Sequence, residues 1–364
     1  MNIFDYVNAP EMAAFITKQT SNAIPYLGKT LFPNKRQLGT DISWLKGADG
    51  LPVAIAPSNY DAKATLRERE GFSKVSTEMA FFREGTRIGE KDRQEINKLL
   101  NHPNSDVVLP ILRNIFDDVK RLVEGVETQA EYMRMKLLQG GSFEVKNLAQ
   151  NCIYKYDYNM SADNKVTVTN DWNSYTDSDP VADLKALADK IEDITGVRPT
   201  RAIMNRKTFN DMVQSQSIKK NLIIGVSNTS VSDLGVYYIS DDEAKSYVEK
   251  KTGIRIAIYN KKYTTLGNDL IPQTSTVANT FIEDNKVVLL PSTTVGSTWK
   301  GTTPEESDLL TGGSDAQVEI VDGGTAITTF KEKHPVNVVT IVSAVMIPSF
   351  EGIDTVGVLT TVSA

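Results

Sequence analysis

The stretch Ser105–Gln139 constrains this chain more than any other. Val108, Leu112, Ile115, Val119, Leu122, Val126, Ala130, Met133 and Leu137 recur at steps of three and four, which puts them on one face of a helix. Pro110 is tolerated only in the first turn, and Gly140-Gly141 stops the run. At ~1.5 Å per residue the helix spans about 50 Å, whereas the mean globular helix has about 11–12 residues. Its apolar steps drift from a strict heptad, so packing along a sheet explains them better than a coiled coil does.

Upstream of this rod, from Gly39 to Arg83, the period falls to two. Ile42 and Trp44 alternate with polar residues; Thr65, Arg67 and Arg69 share one face, and Leu66, Glu68 and Glu70 the other. The pattern predicts a long β-ribbon with little apolar area on either face. A two-stranded ribbon is marginal by itself, so this one needs a surface to lie on. Before it, Asn8 is placed to cap a short helix from Ala9 to about Thr20, with Met12, Phe15 and Ile16 on one side. An extended run through Leu31-Phe32-Pro33 follows. Two readings are open for these residues: a helix docked on its own core, or an arm that reaches a neighbour.

The second half is mixed. Asp179 caps a helix that starts at Pro180 and ends at Gly196, and a strand at Arg201–Met204 leads into a short helix near Lys207–Gln214. Asp241 or Asp242 opens another helix, which stops at Gly253. Strands are expected at Ile254–Tyr259, Asn279–Glu283 and Val287–Leu290. Gly296–Gly324, rich in Gly, Ser, Thr and acids, reads as a long exposed excursion, and Asn337–Ala344 and Ile353–Val362 as β-rich.

The bulk chemistry removes several function classes. At 364 residues the chain suits two or three lobes. Lys plus Arg total 40 against 46 Asp plus Glu, a formal charge of -6 with the signs interspersed, which is a poor basis for tight nucleic-acid binding. There is no polybasic stretch for an anionic membrane, and the most apolar late run, Val338–Pro348, is too short for a span of about 20 residues. The N-terminus has no basic-then-apolar secretory pattern. The single cysteine, Cys152, excludes an intrachain disulfide and a Cys-rich zinc site. His102 and His334 sit in polar linkers, where solvated histidines are commoner than general bases. Asp171, Asp177 and Asp179 lack calcium-loop spacing. No phosphate loop, dinucleotide fingerprint or nucleophile elbow is present. No catalytic residue, cofactor or metal site is expected, and the protein is expected to be soluble and made in the cytoplasm.

The order of parts then becomes informative. Ala64-Thr65-Leu66-Arg67-Glu68-Arg69-Glu70-Gly71 resembles the E-loop return strand of lambda-type major capsid proteins of tailed bacteriophages. Tyr132-Met133-Arg134-Met135-Lys136-Leu137-Leu138-Gln139-Gly140 with Ser142-Phe143-Glu144-Val145 resembles their spine helix running into a first strand. Asp284–Leu290 and Pro335–Val362 are similar to later parts. The resemblance implies an α+β chain with the Hong Kong 97-type capsid fold. It assigns an N-terminal arm to 1–38, the E-loop ribbon to 39–83, a P domain with its spine helix (105–139) to 84–200, and an A domain with the excursion 296–324 to 201–334. Residues 335–364 would be a β-rich return to the P domain.

What the family implies is a structural protein of the virion, assembled in the host cytoplasm into hexamers and pentamers of an icosahedral shell. Expected partners are further copies of the chain, a separate scaffolding protein, a portal protein and, as an option the resemblance leaves open, a decoration protein. Packaged double-stranded DNA would be enclosed without specific binding. The rival readings are an encapsulin-like bacterial compartment, a tail structural protein, and an enzyme with a dispersed site. At residue level, Glu124, Glu127 and Glu131 share one helix face, and Arg67 and Arg69 one ribbon face. They are candidates for an intersubunit contact if the ribbon crosses a neighbour's helix; solvated charges with local partners are the plainer reading.

Overall fold

The computed structural model describes residues 8–18, 25–46, 73–91, 94, 98, 108–147, 152–224, 239–264, 278–309, 316–334 and 336–363. The architecture is α+β. Contacts divide the chain into two compact units, 1–43, 76–133 and 297–349 in one, and 44–75, 134–296 and 350–364 in the other.

The first unit is built on a six-stranded sheet whose centre is Val336–Ser349. Its β-branched run Val338–Val342 fits a strand with neighbours on both edges. Ala80–Ile88 pairs antiparallel along one edge, from Ala80↔Met346 to Ile88↔Val338. Thr325–Lys333 takes the other edge up to Ala344, and Ser297–Lys300 continues it from Met346 to Ser349. Asn34–Arg36 lies parallel to Ser297–Lys300, and Gln317–Val321 forms a hairpin with Thr325–Lys333. Val119, Val126, Ala130 and Met133 of the long helix, Val108–Gly140, are buried at the expected spacing, while Val123 is buried in place of Leu122, which is half-buried.

The helix Ala9–Lys18 packs on Gln317–Val321 and Thr325–Lys333 of its own chain. Ala9 and Met12 are buried there, Phe15 meets Phe116 edge-on at 5.5 Å, and Asn8 Oδ1 accepts the Glu11 amide proton as the cap. Of the two readings left open by the sequence, the structure has the helix docked on its own subunit.

The second unit holds a five-stranded sheet in the order Lys165–Thr167, Gly357–Thr360, Lys286–Leu290, Arg201–Met204, Arg255–Ile258. Its core joins Leu184, Leu187 and Ile191 of helix Pro180–Thr195 with Phe209, Met212, Val248 and Trp172. Asp179 accepts from the Ala182 amide and Gly196, at φ 73, ends that helix, both as expected. The helix Asp241–Thr252 opens at Asp241 and stops at Gly253, as expected, and Ser240 caps it in a capping box with Glu243. A hairpin pairs Ser142–Asn147 with Cys152–Asp157, and a small ribbon pairs Lys262–Thr264 with Ala278–Thr280.

Within the expected long ribbon, Asp41–Lys46 and Ser73–Glu78 pair as a two-stranded sheet. Residues 47–72, with Arg67 and Arg69, lie outside the described residues.

The exposed excursion at 296–324 is corrected. Ser297–Lys300 is a strand, Pro304–Leu309 a helix and Gln317–Val321 a second strand. Ser297, Thr298, Lys300, Thr303 and Glu305 are buried. The polar composition misleads because these side chains find partners inside. The Thr298 hydroxyl donates to the Phe32 carbonyl at 3.0 Å, and Glu305 accepts from Ser343 at 2.7 Å and pairs with Arg83.

Candidate functional site

A buried polar cluster gathers around Lys300 in the first unit. Strand pairing with Asn34–Arg36 and Val336–Ser349 fixes the backbone of Lys300, and its side chain is 0% exposed. The Nζ donates to Glu127 Oε1 at 2.9 Å and to the Asp322 carbonyl at 2.9 Å, with Asp322 Oδ2 at 3.4 Å. Asp322 sits in the turn between Gln317–Val321 and Thr325–Lys333, with φ of 47, 72 and 150 at Asp322, Gly323 and Gly324. A Cβ on Gly324 would lie 2.7 Å from that of Lys300, so glycine is what lets the turn close over the lysine stem.

The same cluster fastens the N-terminal segment. Lys29 pairs with Asp322 at 3.1 Å, the Gly28 amide donates to Glu131 Oε1 at 2.9 Å, and the Tyr26 and Thr128 hydroxyls bond at 2.8 Å. Burial pushes the Asp322 carboxyl up, but the hydrogen bond with Glu127 and the charges of Lys300 and Lys29 outweigh it and hold it down at about 2. Burial raises the Tyr26 phenol, with Glu131, Glu127 and Glu124 adding to the rise. A lysine without access to solvent, held between carboxylates, is a structural tie and not a reagent.

The acidic row expected on the long helix therefore divides. Glu127 and Glu131 serve contacts within their own chain, while Glu124 is 41% exposed with Lys120 at 3.9 Å. Sequence reasoning missed Lys300 and Asp322. The only hint was Asp322-Gly323-Gly324, a turn signal placed inside a supposed excursion.

Elsewhere, an open cleft of about 650 Å³ in the second unit is lined by polar side chains including Asn205, Lys207 and Lys262. Asn205 caps the helix Arg206–Gln214 and bonds Asp284, and Arg206 pairs with Asp241. Asp171 accepts from Ser363 and Asp179 is a cap, which accounts for two of the three loop aspartates singled out. His334 is exposed, Cys152 is half-buried, and His102 lies outside the described residues. Among the described residues no group of His, Cys, Asp or Glu is placed to hold a metal ion, and no helix is long and apolar enough to cross a membrane.

Comparison with known proteins adds what the described cleft does not supply. A family model described as phage major capsid protein E matches residues 8–356. No curated protein sequence matches the chain. A solved structure described as the putative capsid protein of a prophage, from E. coli CFT073, is similar over 98% of this chain and 99% of that one. It is 13% identical, with a TM-score of 0.57. A phage-related protein from Bordetella bronchiseptica RB50 is also 13% identical, covers 98% of this chain and 97% of its own, and has a TM-score of 0.52. At that identity the likeness is one of fold.

Proposed function

Because this chain belongs to the phage major capsid protein E family, we propose that it is the repeating subunit from which a tailed phage builds its head. Its role in the capsid is structural. The family match across residues 8–356 carries the reading. In the proposal, copies assemble in the host cytoplasm into hexamers and pentamers around a separate scaffolding protein, with a portal at one vertex, and the shell encloses double-stranded DNA without binding it specifically. The formal charge of -6 supports the last point, since packed DNA must not adhere to its container.

The lambda-type subtype and the assignment of arm, E-loop, P domain and A domain belong to the same proposal. Its physical support is the ribbon: two strands with few apolar side chains are marginal alone and gain stability from a neighbour's surface. Of the intersubunit charge candidates, Glu124 has its side chain 41% exposed, with Lys120 at 3.9 Å, and is the one the proposal pairs with Arg67 or Arg69 of another copy.

Sedimentation tests the reading. The overexpressed chain with its scaffolding protein should run as particles far heavier than a hexamer. A chain that stays a small, slow species with every scaffold candidate encoded nearby would contradict it.

A further inference from the structure

We propose that Lys300 is the catch of an ionic strap that controls residues 26–30. The segment has two kinds of attachment. Leu31 and Phe32 are 1% and 0% exposed, and Asn34–Arg36 pairs with the sheet, so burial and backbone bonds hold that part. Residues 26–30 are fastened chiefly by polar groups: Tyr26 to Thr128, the Gly28 amide to Glu131, and Lys29 to Asp322. Leu31–Phe32 is thus a fixed hinge and 26–30 a fastened flap.

Lys300 joins the two bodies that the flap grips. It binds Glu127 on the long helix and both the carbonyl and carboxylate of Asp322 on the turn. The charged groups facing it are Glu127 from the helix, Asp322 from the turn and Lys29 from the flap beyond Asp322, with Glu131 one helical turn on. Without the lysine, Glu127 and Asp322 lose the cation that joins them, the turn loses its grip on the helix, and the anchor for Lys29 moves with it. The helix Ala9–Lys18 docks independently on the sheet, so an open catch frees residues 26–30 without undocking that helix. This inference concerns the folded subunit and stands whether or not the chain builds a shell.

Hydrogen exchange of the full-length protein reads the catch through the amides of Gly28, Thr30 and Phe32, which donate to Glu131, Leu27 and Gly28. In Lys300→Met, a peptide covering 26–32 should exchange about tenfold faster or more, while peptides from 338–346 keep their wild-type rate. Removing the stranded carboxylate on the helix as well, in Lys300→Met/Glu127→Gln, leaves Asp322 paired with Lys29 and should return the flap to near the wild-type rate. Should Lys300→Met not fold, Lys29→Met, which removes only a surface partner, should accelerate the same peptide and spare the sheet. Unchanged exchange at 26–32 in the variant that folds, equal acceleration of flap and sheet, or no recovery in the double variant would each overturn the proposal.

Discussion

Lys300 and Glu127 are 173 positions apart in sequence and 2.9 Å apart in space, and their pairing changes what a mutation at Glu127 means. From sequence alone, Glu127→Lys would test a contact between subunits. In the structure the new lysine would face a fully buried ammonium, and breaking a buried pair costs about 3 kcal/mol or more. Glu127→Lys should therefore lower the subunit's own denaturation midpoint, and Lys300→Glu added to it should restore part of the loss. A variant that unfolds at the wild-type urea concentration would show that the pair contributes nothing. Asp322 adds a pH signature. Its folded-state pKa of about 2 lies below the ordinary 3.8, so its contribution is complete above about 3.8 and is lost as the pH falls from there through about 2. The melting temperature should drop across that window, and Asp322→Asn should flatten the drop; a parallel curve for the variant would refute the linkage.

The elements differ in how far their sequences announce them. The long helix was legible because its burial repeats every three to four residues: Val119, Val126, Ala130 and Met133 were named from spacing alone and are buried. The caps at Asn8 and Asp179 were legible too, because a cap is a local hydrogen bond. The strand Ser297–Lys300 was not. Its Ser, Thr and Lys read as solvated, and only partners remote in sequence, Phe32, Glu127 and Asp322, make their burial affordable. The cluster was hidden for the same reason. Composition reports polarity, not whether the polarity is satisfied. The ribbon gives this scale its prediction. Trypsin should cut at Lys63, Arg67, Arg69 or Lys74 in free subunits and leave assembled particles intact there. Equal resistance in both forms would mean that the ribbon needs no neighbour.

At the scale of the whole molecule, the proposed function makes the chain one member of a closed set of copies. Arg69→Glu and Glu124→Lys should each reduce particle yield, and the double swap should recover part of it. Normal assembly of both single variants would leave those charges merely solvated. The outcome is separable from damage within the subunit, since Glu124, unlike Glu127, is not tied to Lys300. The proposed role as the wall of a phage head can be tested more directly than through any residue pair. Negative-stain electron microscopy of the chain co-expressed with its scaffolding protein tests it in one image. Closed, uniformly sized icosahedral shells made of this chain are the expected result. Tubes, open rings or dispersed subunits under those conditions would contradict it.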